Sequence, residues 1–130
     1  NTLAGIGAEN SKNIYSAAGY FANVQTDDAK AFAQQYVAKF GSDAPVLNAL
    51  SQSCYDGLIA LDVIAEKAGE MSVASMENAA EGMEYDGPRG HATMKNKHLA
   101  MDIYLANAVG AEFKIVKSFR NMEPGNFCKA

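Results

Sequence analysis

The chain has 130 residues, 48% of them hydrophobic and 20% charged, with a net charge of −4 and a pI near 5.1. That length suffices for one domain with its own core, and the composition is that of a globular rather than a disordered chain. The acidic balance excludes a general basic field for nucleic acid or anionic lipid, and no apolar run approaches the roughly 20 residues of a membrane span.

Asn1 is not an initiator Met, which leads to the expectation that processing or truncation removed a preceding segment. Residues 1–13, with scattered apolar side chains and Gly5 and Gly7, read as a frayed start or loop. Residues 14–22, IYSAAGYFA, alternate and are aromatic-rich, which favours a strand. Their small residues Ser16, Ala17, Ala18 and Gly19 predict close approach of another backbone or a packed helix.

A helix follows. Thr26 is a good N-cap, and Asp27 and Asp28 set negative charge at the positive end of the helix dipole. Ala29, Phe32, Ala33, Tyr36, Val37 and Phe40 make one apolar stripe, which Gly41 stops. Residues 41–46 form a loop, with Pro45 biasing its neighbour away from helix. The longest helix spans 48–68. Leu50, Cys54, Leu58, Leu61, Ala65 and Ala68 lie near one face, Ile59 and Ile64 widen it, and Gly69 caps it. Gly57 in its interior predicts close packing with a neighbour, because Gly costs up to about 1 kcal/mol there against Ala. A shorter helix runs from Val73 to Ala80, with Ser72 as N-cap and Gly82 as terminator.

From Glu84 to Phe119 the pattern is of short strands and tight turns. Asp86-Gly87-Pro88 and Gly90 punctuate the start. Met101, Ile103 and Leu105 alternate with Asp102, Tyr104 and Ala106, then Gly110-Ala111-Glu112 turns into Phe113–Phe119. Residues 99–119 are a hairpin.

Candidate chemistry is sparse. His91 and His98, with Cys54 or Asp102, lack the tight pairing of metal sites, so His98 closes a turn and His91 sits on an exposed strand. Nothing near Cys54 in sequence lowers its pKa, so it reads as an inert core thiol. A Cys54–Cys128 bridge requires the tail to bring the two Cα atoms within roughly 4.4–6.8 Å; a partner for Cys128 outside these residues is the alternative. Gly87-Pro88-Arg89-Gly90 lacks the ending of a phosphate loop and is a turn. Arg89, Lys95 and Lys97 make a small basic cluster, read as a solvated rim. Asn48 to Ser53 gather small polar groups at a helix N-terminus whose free N–H groups suit a carboxylate or amide.

The order of elements after Glu84 resembles the C-terminal end of the two-lobed solute-binding proteins for branched-chain amino acids, amides and urea, and their amide-sensing relatives. The residues that carry it are Tyr85, Gly87, Pro88, Gly90, His98, Tyr104, Gly110, Phe113, Ile115 and Val116, with Thr26, Lys30 and Phe32 matching upstream. The resemblance implies an α/β fold: part of a two-lobed periplasmic-binding-protein-like architecture, with helices packed on a sheet plus a C-terminal antiparallel hairpin. It covers about the last third of such a protein and implies a fragment. Residues 1–22 would be a crossover strand region, 26–82 the helical part of one lobe, and 83–123 the C-terminal strands.

The function so implied is non-enzymatic. It is reversible capture of a small polar ligand (amino acid, short amide or urea) in the periplasm and delivery to the membrane permease of an ABC-type importer. No cofactor, metal or nucleic acid is implied, and the remainder of the two-lobed protein or a second chain completes the clamp. By the same resemblance Gln52, with Tyr55 and Tyr20 behind it, faces the ligand cleft. Alternatives are a cytoplasmic amide-sensing regulator of the same fold, or a standalone α/β subunit; no acid–base or nucleophile constellation marks an enzyme.

Overall fold

The helices begin where the sequence offers a cap. In a computed structural model, which describes residues 2–125, α1 (Thr2–Ile6), β1 (Tyr15–Ala18), α2 (Asp27–Phe40), α3 (Ala49–Ala68) and α4 (Val73–Ala80) precede four strands. Thr26 Oγ1 accepts from the Ala29 amide at 3.3 Å, and Gly41 ends α2 with φ 86°. Asn48 and Ser51 form a capping box at α3, and Gly69 closes it in the left-handed region at φ 69°. Ser72 caps α4. The boundaries at Thr26, Gly41, Gly69 and Ser72 match expectation because caps are local chemistry. The start departs from it: residues 2–6 are helical, with Leu3 buried, rather than loop. The strand expected over 14–22 is regular only from Tyr15 to Ala18, with the Ile14 carbonyl also accepting from the Ala108 amide at 2.9 Å.

The C-terminal strands are β2 (Glu84–Gly87), β3 (Gly90–Lys95), β4 (His98–Val109) and β5 (Glu112–Met122). All pairings are antiparallel, and β4 organises them. One edge of β4 carries β3 along residues 98–101 and β1 along 104–107, while β5 runs along the other. The expected hairpin is therefore present and longer at its C-terminal end. Opposite β4, β5 has an extra residue at two bulges; at the first, Asn121 takes φ 46° and donates its amide to Asp102 Oδ1 at 2.9 Å. His98 Nδ1 meets the Asn96 carbonyl at 2.8 Å, closing the β3–β4 turn.

Two apolar clusters form on this frame. Tyr20, Phe21, Val24, Ala29, Tyr104 and Ala106 make one, joined by Phe113 and Ile115. Met83, Tyr85 and Ala92 make the other, under Ile59, Ala60, Val63 and Ile64 of α3. Helix α3 packs only partly as its periodicity suggested: Ile59 and Ile64 face the second cluster, but the stripe of Leu50, Leu58 and Leu61 faces away. Gln52 and Asp56 point inward, while Leu50, Leu58 and Leu61 are 81%, 67% and 47% exposed and Cys54 is exposed beside them. Cys54 is thus no core thiol in this structure, and Cys128 lies outside the described residues. Gly57 also departs from expectation: a Cβ there would meet nothing within 4 Å.

Candidate functional site

Polar residues buried on a helix need partners, and Gln52 and Asp56, one turn apart on α3, are both buried, with the exposed Ser53 beside them. Their partner is Arg89, in the turn between β2 and β3 that Gly87 and Gly90 close. Gly90 has φ 104°, a conformation that favours glycine. Arg89 Nε lies 2.5 Å from Asp56 Oδ2, with side-chain exposures of 8% and 4%. The approach is a charge contact rather than an aligned hydrogen bond. Arg89 Nη2 donates to Gln52 Oε1 at 2.5 Å and to Ser53 Oγ at 2.8 Å, and Nη1 reaches Met101 Sδ at 3.4 Å. Tyr85 donates its hydroxyl to Asp56 Oδ2 at 3.3 Å.

The network includes one member of an apolar cluster and lies near a member of the other. Tyr85 belongs to the second cluster; Tyr20, of the first, stands within Coulombic range of Asp56. Burial, and then the Asp56 carboxylate, push the Tyr85 hydroxyl up to about 12, with Arg89 opposing. Burial and Asp56 also raise Tyr20. Both phenols therefore stay neutral donors at any physiological pH. Gln52 Nε2, Asp56 Oδ1 and Tyr20 Oη are enclosed and make no hydrogen bond within the described residues. Backbone approaches closely here: a Cβ at Gly87 would stand 3.0 Å from Asp56 Oδ1. One at Gly19 would stand 3.0 Å from Met101 Cε and 3.4 Å from Arg89 Nη1. Of the small-residue run before Tyr20, Gly19 is closely approached, by the side chains of Met101 and Arg89 rather than by a packed helix.

The three residues singled out from sequence are therefore unequal. Gln52 is fully enclosed with its carbonyl committed to Arg89, Tyr20 is 2% exposed, and Tyr55 is 41% exposed with its ring 4.6 Å from that of Phe32. The helix N-terminus is also less open than expected, because Asn48 Oδ1 accepts from the Leu50 and Ser51 amides. Arg89 is not part of a solvated rim. Lys95 is, pairing with Glu123 at 2.5 Å. Arg89, Asp56 and Tyr85 were not singled out as a group. The available signal was the polar stripe Gln52, Ser53 and Asp56 opposite the apolar one.

A concavity of about 590 Å³ is lined by residues 23–26 and by β4 and β5, with Asn23, Tyr104, Lys114 and Arg120 on its wall. Its Arg120 donates to Asp102 and is neutralised by it. Among the described residues no group of three or more His, Cys, Asp or Glu gathers in a metal-binding arrangement.

The sequence profile of the family described as periplasmic binding protein matches residues 1–112. The chain belongs to the periplasmic binding protein family. Its place is with the type I, branched-chain amino-acid-binding-like members, as the strand order after Glu84 suggested. No curated protein sequence matches the chain. Among solved structures, it is similar to a solute-binding protein of an ABC transporter from Rhodopseudomonas palustris HaA2 in complex with p-hydroxybenzoic acid. That match has TM-score 0.72 and 21% identity over 88% of this chain and 33% of that one. An ABC-type branched-chain amino acid transporter protein from Rhodopseudomonas palustris CGA009 gives 0.73 and 17% over 92% and 33%. A periplasmic binding protein from Burkholderia mallei gives 0.77 and 15% over 92% and 33%. At these identities the likeness is one of fold, and the chain spans about a third of the length of these proteins.

Proposed function

We propose that the chain is the C-terminal portion of the substrate-binding component of an ABC-type importer. It acts in the periplasm, holds a small polar metabolite reversibly between two lobes without a covalent step, and hands it to a membrane permease. The observation that carries this reading is the match to the binding-protein family over residues 1–112. The outward apolar face of α3 agrees with it, since a lone domain gains nothing by exposing Leu50 and Leu58. Ligand in the closed form touches both lobes and in the open form one, so binding shifts the population toward closure.

The ligand is a small molecule bearing a carboxylate or amide: a branched-chain amino acid, a short amide, urea, or an aromatic acid of the kind seen with structurally similar proteins. In this reading the first turns of α3 face the cleft. Tyr55 offers its half-exposed ring, and Gln52 and Tyr20 support that surface from behind. The test is a thermal-shift and calorimetric panel on the protein made from its complete reading frame, with leucine, acetamide, urea and 4-hydroxybenzoate as probes. Saturable stabilisation by one class supports the proposal. Silence from the whole panel, with enzymatic turnover of any member, overturns it. Stabilisation by acetamide or urea in a protein lacking a secretory signal would favour the amide-sensing regulator instead.

A further inference from the structure

We infer that Arg89 is a positioning residue for ligand binding: its guanidinium fixes the rotational register of α3 against the β2–β3 turn and the end of β1. This rests on the binding-protein reading above. One side chain joins three segments here. Nε and Nη2 hold Asp56, Gln52 and Ser53 of α3, Nη1 reaches Met101 of β4, and the same nitrogen stands against Gly19, where a Cβ would lie 3.4 Å away. Residues 52, 53 and 56 occupy two successive turns, so a rotation or slide of the helix breaks several contacts together. Lys, with a single point of charge, cannot hold the Asp56 carboxylate, the Gln52 carbonyl and the Ser53 hydroxyl from the separate nitrogens of a planar fork.

Stability alone does not explain the arrangement. A buried ion pair loses in desolvation much of what it gains in attraction, and an apolar pair of similar volume often serves as well or better. What an apolar pair does not supply is direction. Ile59, Ala60, Val63 and Ile64 bind α3 to the second cluster through contacts that tolerate small slides. The Arg89 fork does not tolerate them. The polar contacts lie on α3 between Asn48, its cap, and the apolar contacts further along. They therefore set the angle at which the first turns, with Tyr55, are presented.

The experiment compares three variants of the complete protein: Arg89→Lys, Gln52→Met, and the double variant Arg89→Met/Asp56→Leu. Each is examined by calorimetry against whichever of the four probes binds, by thermal unfolding, and by amide hydrogen exchange. The double variant is expected to melt within a few degrees of the parent yet bind the probe about tenfold more weakly, equivalent to about 1.4 kcal/mol. Exchange should speed up over residues 49–56 and not over 73–80. Arg89→Lys should weaken binding in the same sense. A folded double variant with the parent dissociation constant overturns the inference. If the double variant does not fold, Gln52→Met decides: weaker binding with little change in melting supports the role, and unchanged binding overturns it. If the parent binds none of the probes, the binding-protein reading loses its support separately. The inference then stands or falls on whether Gln52→Met accelerates exchange at 49–56.

Discussion

The first turns of α3 invert the faces of an ordinary surface helix, whereas further along Ile59, Ala60, Val63 and Ile64 pack inward in the usual way. Inward it presents Gln52 and Asp56, wholly or almost wholly buried, and outward it presents Leu50, Leu58 and Leu61. The inward face is held at Gln52 and Asp56 by charge and hydrogen bonds of fixed direction, and further along by apolar packing of Ile59, Ala60, Val63 and Ile64. Leu50, Leu58 and Leu61 on the outward one are exposed. A single helix thus shows two ways of meeting a neighbour. One is finished within this chain by Arg89, Tyr85 and the β2–β3 turn. The other is left open in a chain that spans a third of the length of structurally similar proteins.

The strongest way to break the contrast is to remove one charge from the finished face. Arg89→Met leaves Asp56 buried and unpaired, and is expected to cost about 3–5 kcal/mol. Chemical denaturation should show it, and the loss should shrink when Asp56→Leu is added. Equal effects of the single and double variants would mean that the pair does not act as a unit. A smaller effect, about 1–3 kcal/mol, is expected from Gly87→Val. The added Cβ would stand 3.0 Å from Asp56 Oδ1 in a buried turn, and that carboxylate is held in place by Arg89. Gly90→Val is destabilising for a different reason, its φ of 104°. An unchanged melting temperature for both would remove the assignment of this turn as a fitted element.

Tyr85 sharpens the contrast through pH. Its pKa is raised by burial and by Asp56 to about 12, so the folded state keeps it protonated where the unfolded chain ionises near pH 10. A raised pKa means that the favourable contribution is complete below about pH 10 and disappears as pH climbs through about 12. Tyr20, raised from the same causes, acts in the same direction. Denaturant midpoints should therefore fall over that alkaline window. Tyr85→Phe should flatten the fall while costing about 1 kcal/mol at neutral pH through the lost hydrogen bond. An equally steep fall in the variant would show that another group governs alkaline stability.

What could be read in advance divides along the same line. Helix ends at Thr26, Gly41, Gly69 and Ser72, and the turns at Gly87, Gly90 and Gly110, follow from chemistry within a few residues, and they match. The hairpin matches too, since alternation with a Gly-bearing turn needs no distant partner. The inward face of α3 was not legible. Periodicity locates an apolar stripe but does not say what covers it, and the assumption that it faces this chain's own core holds for Ile59 and Ile64 but not for Leu50, Leu58 and Leu61. Arg89 looked like a rim residue because its partners lie 36 and 37 positions earlier. The sequence distance hid a pairing that the polar stripe Gln52, Ser53 and Asp56 could have announced.

The outer face allows the smallest and most discriminating test, at Gly57. In the 130-residue chain a Cβ there meets open space, so Gly57→Ala should stabilise by roughly 0.8–1.0 kcal/mol through helix propensity alone. In the protein from the complete reading frame the sign depends on what lies over α3. If a further segment of the lobe packs closely against Leu50, Leu58 and Leu61, the methyl group intrudes and Gly57→Ala destabilises, by about 1–3 kcal/mol for an overpacked contact. A change of sign between the two lengths would locate the missing contact on this face. The same gain in both would leave the outer face solvent-exposed in the whole protein, and the exposed leucines would then need a separate partner.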